Sequence, residues 1–397
     1  MAMEKKVELS RIYLACVVLG VLLVGFVLGT RSNQIVAAVA PLFGARVETG
    51  VLDDTSLQDV YQTLKEHYNG KIDDDKLIEG AKHGMIAAVG DPYTVYFDKK
   101  EADEFNKELS GDIGGGIGAE VGVRNGQPTV IRTLPDNPAE KAGLHAGDTI
   151  LGVNEESTDG WDADKTVRAI RGEVGTTVKI TVLRDGQPKE FTITREEINN
   201  PSVSSDLKGD IGVITVSRFD NETVGLVRKA ANDLKSRGMK KTIIDFRGNG
   251  GGYLDAAPGV AGMWLRDKLV VSVKATNGGE QKLMSNGDTI LAGLKTAVIV
   301  NPGSASATEI VTAALKHYKV ATIVGEKTFG KGTVQELVPL ANGSLLKVTI
   351  KRWYTPSGGN VNKNGIKPDV EAGLTQADLD ASKDPQMDAA VNAVNQP

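Results

Sequence analysis

Cysteine is nearly absent. Only Cys16 occurs among 397 residues, which rules out an intrachain disulfide and any cysteine-based zinc site. Most of the apolar run around Cys16 follows it, the reverse of a lipid-modified cysteine, and nothing nearby would activate a thiol. Histidine is almost as sparse. His67, His83, His145 and His317 form no pair at ligand spacing and no HExxH, so no metal site is expected. His317 alone tempts as a base for a serine, but it lies eleven residues beyond Ser306, about three turns away if one helix carries both. Basic excess is missing too: the net charge is −5 and aromatics make up 5% of the chain. No cationic stripe interleaved with aromatics exists, which argues against nucleic acid as a partner.

Glycine, by contrast, is abundant at 46 residues, which predicts many tight turns and close backbone approaches. One long uncharged run, IYLACVVLGVLLVGFVLG, occupies residues 12–29. At ~1.5 Å per residue it spans about 27 Å, close to a bilayer core. Lys5, Lys6 and Arg11 precede it, so the expected topology is a single-pass anchor in the cell membrane with a cytoplasmic N-terminus. The alternative is a cleaved signal peptide. Ala38-Val39-Ala40 offers a small-x-small site, but Pro41 would hinder cleavage there, and the run exceeds the ~7–15 residues of a signal core. Both readings place residues 31–397 outside the cytoplasm, in the periplasm or its equivalent.

Five segments follow from the change of pattern: residues 1–30, tail and anchor; 31–108, tether and helical region; 109–197, β-rich domain; 198–375, α/β core; 376–397, a polar tail with one weak helix. In the helical region Leu57, Val60, Tyr61 and Leu64, then Leu77, Ala81, Met85 and Ala88, recur at helical spacing, and Asp91-Pro92 breaks the second helix. In the β-rich domain strands are expected at 116–123, 128–133, 149–153, 177–183 and 191–194, with a hairpin turn at Asp185-Gly186. Short helices are expected at 138–142 and 163–170. In the core, apolar strands at 213–216, 242–246 and 296–300 alternate with helices at 222–237, 254–265 and 307–317. GEKTFGKG at 325–332 imitates a nucleotide-binding P-loop, and GGGIGA at 114–119 a dinucleotide fingerprint. Each is followed by a strand pattern and not by the helix that phosphate binding needs, so no nucleotide cofactor is expected.

Three stretches carry chemistry. In VNPGSASATEI (300–310) a strand ends, a turn of small residues follows and a helix begins, which puts Ser306 near a helix N-terminus where negative charge is stabilised. Taken alone, that segment fits better with Ser304 or Ser306 acting only as a helix cap. In EKTFGKGTVQE (326–336) Lys331 is flanked by glycines, and on a strand it would share a face with Gln335. A lysine base must be neutral, which requires burial to lower a pKa of about 10.4 by ~3 units, a cost of ~4 kcal/mol. In DFRGNGGGYL (245–254) a strand runs into three glycines that can aim N–H groups at an oxyanion.

The types, order and spacing of these pieces resemble the C-terminal processing peptidases, or tail-specific proteases, a serine peptidase family with a Ser-Lys dyad. GSASATEI (303–310), GKGTVQ (330–335) and DFRGNGGG (245–252) carry the resemblance. It implies Ser306 as nucleophile, Lys331 as general base, Gln335 as the group orienting it, and the N–H groups of Gly251 and Ala307 as oxyanion donors. GGIGAEV (115–121), PAEKAGL (138–144) and AGDTILGVN (146–154) resemble a PDZ domain. There the N–H groups of Ile117 and Gly118 would hold a terminal carboxylate, and Val167 and Ile170 would line a pocket for the last side chain. Arg171 is a candidate regulatory sensor. The implied fold class is α+β and multidomain: an N-terminal transmembrane helix, a helical segment, a PDZ-like β-rich domain and an α/β serine protease core of the crotonase or ClpP type. The expected activity is endoproteolysis, without cofactor or metal, of extracytoplasmic proteins with apolar C-termini, with a homo-oligomer or an adaptor protein as a further partner. A PDZ scaffold with an inactive core is the alternative, and a hydrolase of small esters a third reading.

Overall fold

The computed structural model describes residues 55–396, apart from 111–113, 125, 135, 199, 277 and 382, together with positions 19, 20 and 25. Save those three positions, the anchor expected at 12–29 and the tether after it lie outside the described residues. Among the described residues no helix is long and apolar enough to cross a membrane. The chain divides into two compact units, Met1–Leu77 and Ile78–Pro397. In the first, helix α1 (Thr55–His67) carries Leu57, Val60, Tyr61 and Leu64 on one face, yet none of its residues is buried. Helix α2 (Asp74–Ala88), in which the division between the two units falls, starts on Asp73, whose carboxylate accepts the Lys76 N–H at 3.2 Å, and stops before Asp91-Pro92, where proline disfavours helix.

In the second unit, strand β1 (Val95–Phe97) and helix α3 (Lys99–Ser110) precede the β-rich domain. Its elements are β2 (Gly115–Gly116), β3 (Ala119–Arg124), β4 (Gln127–Thr133), α4 (Pro138–Lys141), β5 (Thr149–Val153), β6 (Glu156–Ser157), α5 (Ala163–Ile170), β7 (Thr177–Arg184), β8 (Gln187–Thr194) and β9 (Glu196–Glu197). The main sheet runs β3-β4-β5-β7-β8 with every pairing antiparallel. Asp185 and Gly186 turn the β7–β8 hairpin with φ of 54° and 74°, the left-handed pair that matches strand twist. Ile117, Val130, Ile150, Val178, Ile180 and Ile193 fill the core of this domain. Strand β3 is left at the sheet edge, beside α5.

The core is built from β10 (Val203–Lys208), β11 (Ile211–Val216), α6 (Thr223–Ser236), β12 (Lys241–Asp245), α7 (Ala256–Ala261), β13 (Leu269–Ala275), β14 (Glu280–Met284), β15 (Lys295–Val300), α8 (Ala307–His317), β16 (Thr322–Gly325), β17 (Thr333–Pro339), β18 (Leu345–Tyr354), β19 (Val370–Glu371), α9 (Gln376–Asp380) and α10 (Pro385–Asn395). One sheet has the order β10-β11-β12-β15-β16-β19, parallel from β11 onward. Its strands are apolar at successive residues because both faces are covered. Ile214, Ile244 and Val298 face α6, α7 and α8. Val213, Ile243 and Ile299 face Ala390 and Val394 of α10. The tail read as one weak helix is therefore a full layer of the core, and its small apolar positions are what allow the close fit. A second, antiparallel sheet of β1, β18, β13 and β14, with β17 on β18, lies outside the three strands expected from sequence.

Candidate active site

Ser306 sits at the junction between β15 and α8 with φ 56° and ψ −118°. An ordinary helix cap has extended backbone. A side-chain-bearing residue at this positive φ is strained, and such strain persists only where the surroundings impose it. They do so here. Ala305 N–H donates to Asn249 O at 3.0 Å, and Ser304 Oγ donates to Phe246 O at 2.8 Å. Ser304 is therefore a structural tie. Ser306 is half-exposed in a stretch whose neighbours Ser304, Ala305 and Ala307 are all buried. Ser306 is the N-cap residue of α8, its N–H bonded to Glu309 as in a capping box, on a strained backbone that an ordinary cap does not need.

Lys331 lies in the loop between β16 and β17, with the backbone fixed on both sides. Its carbonyl accepts Trp353 Nε1–H at 2.7 Å, and Gly332 O accepts Asn360 Nδ2–H at 2.9 Å. A Cβ at Gly332 would lie 2.4 Å from Asn360 Oδ1, so glycine is required beside the lysine. Burial holds the Lys331 amine below the ordinary lysine range, helped by the nearby Lys347 charge and opposed by Glu309 and Asp91. Its Nζ stands 5.5 Å from the ring centre of Tyr93.

One side chain joins the two loops. Glu309, completely buried in the first turn of α8, accepts the N–H of Ser306 at 3.0 Å and of Lys331 at 2.9 Å on the same oxygen, Oε2. Its Oε1 accepts Thr328 Oγ1–H at 2.6 Å and Gly330 N–H at 2.8 Å. Four donors satisfy one buried carboxylate, which is how such a group avoids the cost of desolvation. Among the described residues no hydrogen bond joins Ser306 Oγ to Lys331 Nζ; catalytic contacts of this kind commonly close only with substrate bound.

The glycine loop lies against Ser306. A Cβ on Gly251 (φ 100°) would sit 2.7 Å from Ser306 Cβ and 3.0 Å from Ala307 N. The Ala307 N–H, first in its helix, makes no hydrogen bond among the described residues and is available to an oxyanion. The Gly251 N–H donates to Asn249 Oδ1 at 2.9 Å in this structure. The expected strand face shared by Lys331 and Gln335 is also revised. Strand β17 starts only at Thr333 and bulges between Val334 and Gln335, and a bulge breaks alternation. Gln335 Nε2–H bonds Thr333 Oγ1 at 2.9 Å and Thr349 Oγ1 at 3.0 Å, with no bond to Lys331.

Ile117, Gly118, Val167, Ile170 and Arg171 come together in one groove of about 310 Å³ between β3 and α5. The Ile117 and Gly118 carbonyls are engaged by Ala139 and Leu134 N–H groups, whereas their own N–H groups bond nothing among the described residues. Gly118 has φ 71°, and a Cβ there would lie 2.3 Å from Asn137 Cβ. The groove also touches Ile198 and Asn200 in the connection to the core. Arg218 Nη2–H donates to Asn200 O at 2.6 Å, and the next residue, Phe219, donates its N–H to Gly251 O at 2.8 Å. Arg171 is exposed and its N–H closes α5 on Val167 O at 2.9 Å.

Comparison with known proteins decides the family. Residues 210–372 match Peptidase family S41, residues 106–183 match the PDZ domain, and residues 45–101 match the N-terminal domain of the activating protease CtpB. Two curated relatives, each named "Probable CtpA-like serine protease", cover 92% of this chain and are themselves covered over 74% of their length. They are 37% identical in Staphylococcus aureus (strain COL) and 34% in Staphylococcus epidermidis (strain ATCC 35984). The chain belongs to peptidase family S41. Among solved structures, the photosystem II D1 C-terminal processing protease matches with a TM-score of 0.50 and 26% identity, over 87% of this chain and 92% of that one. This S41 member is thus a serine peptidase of the C-terminal processing type with a PDZ domain. Its sequence flagged the serine, the lysine and the glycine loop but not Glu309 or Asn249. Glu309 stands three residues after Ser306, the spacing of a capping-box acid, and that was the one local signal available. Asn249 is completely buried; its side-chain Nδ2–H donates to Val216 O at 2.8 Å and its backbone carbonyl accepts Thr308 Oγ1–H at 3.0 Å.

Proposed function

We propose that this S41 peptidase cuts extracytoplasmic proteins by a Ser306–Lys331 dyad. Neutral Lys331 takes the Ser306 proton as Ser306 Oγ attacks the peptide carbonyl. The oxyanion is held by the N–H groups of Ala307 and Gly251, the latter exchanging Asn249 Oδ1 for the substrate oxygen. Lys331 gives the proton to the leaving amine as the C–N bond breaks and the acyl-enzyme forms; it then takes a proton from water, whose oxygen attacks the acyl carbonyl, and returns it to Ser306 Oγ as the ester is cleaved. The observation that carries the reading is the carboxylate of Glu309, which binds the backbones of Ser306 and Lys331 through one oxygen.

Substrate capture would use the groove between β3 and α5. A C-terminal carboxylate meets the free N–H groups of Ile117 and Gly118, the tail adds as a strand on the exposed β3 edge, and an apolar last side chain enters between Val167 and Ile170. Anchoring by residues 12–29 places this chemistry at the outer face of the cell membrane. The unburied apolar faces of α1 and α2 favour a homo-oligomer or an adaptor protein as partner.

The test is cleavage of casein and of an apolar-tailed protein by the full chain, by Ser306→Ala and by Lys331→Ala. Loss in both variants with unchanged melting supports the dyad. Equal cleavage by all three removes it, and no cleavage by the unmodified protein leaves a PDZ scaffold as the function.

A further inference from the structure

We infer that Tyr93, presented by the turn at residues 91–94, is a positioning residue that walls the Lys331 amine off from water. The inference rests on the reading of Lys331 as base. The ring centre lies 5.5 Å from Nζ, and the turn that carries it is held at both ends. Asp91 Oδ1 accepts the Tyr93 N–H at 3.2 Å and Oδ2 accepts Thr94 Oγ1–H at 2.6 Å. On the other side β1 pairs with β18, Val95 opposite Lys347.

The same turn reaches the rest of the base's surroundings. Thr94 Oγ1 accepts the Thr349 N–H at 3.2 Å, and Thr349 Oγ1 accepts from Gln335 Nε2 at 3.0 Å. Gln335 is therefore linked to the turn that carries Tyr93 through this chain of bonds. The charged groups that face Lys331 are Lys347 from β18, Glu309 from α8 and Asp91 from the turn. Two of the three favour the ammonium form, and so does the aromatic face. Exclusion of water is the largest influence in the opposite direction, and a ring lying over the amine supplies part of it. The phenol stays neutral, because burial and then the Glu309 and Asp91 charges push its ionisation up. Tyr93 thus adds no countercharge. It removes water, which is what a neutral lysine requires.

The experiment follows acylation of Ser306 by a fluorophosphonate probe across pH, on the full-length chain. Tyr93→Ala should move the inflection up by about one unit and slow labelling at pH 7 about tenfold. Tyr93→Phe should leave both unchanged, since the ring and not the hydroxyl is responsible. Tyr93→Gln fills the space with a polar side chain and should shift the inflection as alanine does, which guards against a folding defect in the smaller variant. An unshifted inflection in both Tyr93→Ala and Tyr93→Gln, with melting retained, overturns the inference, as does a full shift in Tyr93→Phe. Lys331→Ala separates the two levels. Wild-type labelling in that variant defeats the dyad itself, whereas its loss together with unshifted Tyr93 variants defeats only the role of Tyr93.

Discussion

Glu309 Oε2 accepts the Lys331 N–H at 2.9 Å, bridging from the helix that starts at Ser306 to the loop that carries Lys331. Glu309→Gln places an amide where four donors now converge, so one face of the new side chain meets N–H groups it cannot accept. The expected result is a fall in kcat of about 100-fold with KM nearly unchanged, as for a lost interaction of roughly 2–3 kcal/mol between fixed partners. Steady-state kinetics beside a melting curve checks it; an unchanged kcat would show that the two loops hold their places without the carboxylate.

Activity should rise with pH through the ionisation of Lys331. Its folded value lies below the ordinary lysine value because of burial first and Lys347 second, so the active neutral form appears at lower pH than in a free lysine at about 10.4. The sign for stability follows. The unfolded chain binds the proton more tightly, so the folded state gains stability as pH rises from the folded value to the unfolded one. Lys347→Met removes a like charge and keeps an apolar stem. It should move the rise in kcat/KM upward by about half a unit.

Gly118→Ala should disable the peptide groove and spare the dyad. The added methyl has to occupy space held by Asn137, on a backbone with φ 71°. Cleavage of a protein with an apolar tail should fall at least tenfold, by order of magnitude for a loop that has to move, while fluorophosphonate labelling of Ser306 stays at the wild-type rate. Equal loss of both would mean that the damage spreads beyond the groove.

The last helix is tied to the glycine loop by Arg247, whose Nη2 meets Asp245 at 2.6 Å and whose Nη1 meets Asp384 at 2.9 Å. Burial opposes ionisation of Asp384, but hydrogen bonds from Arg247 outweigh it and hold the carboxyl below its usual range. This contribution is complete above the unfolded carboxyl value of about 3.9 and is lost as pH falls through the lower folded value. Arg247→Ala should cost about 2 kcal/mol, less than for a fully buried pair because Asp384 is 39% exposed and screened. Val394→Asp, a charge forced against Ile243 and Ile299, should cost more. Chemical denaturation of both variants measures the difference.

Much of the architecture was legible in short stretches. The β5 strand and the α5 and α8 helices match the residues their patterns predict, because alternation, capping and turn glycines act over a few neighbours. Of the second sheet the strand pattern at 333–339 matched β17, whereas β13, β14 and β18 were missed. Lysine, arginine and glutamate interrupt its strands, as in β14 (EQKLM) and β18 (LLKVTIKRWY), so the apolar signal is dilute. The strand face expected to hold both Lys331 and Gln335 did not form, because the strand starts at Thr333 and bulges before Gln335, which no local pattern announced.

The sequence by itself determined the local backbone around the candidate reacting groups. Small residues around Ser306, glycines beside Lys331 and three glycines after Asn249 are local requirements, since a close approach or a positive φ excludes larger side chains wherever the chain goes next. Only the tertiary structure decided how those groups are held. The carboxylate of Glu309 reaches a lysine loop 22 residues away, Tyr93 arrives from more than two hundred residues upstream of Lys331, and α10 closes the far face of the sheet. Burial is a property of what packs around a residue, so the neutrality that Lys331 needs is written in its neighbours in space and not in its neighbours in sequence.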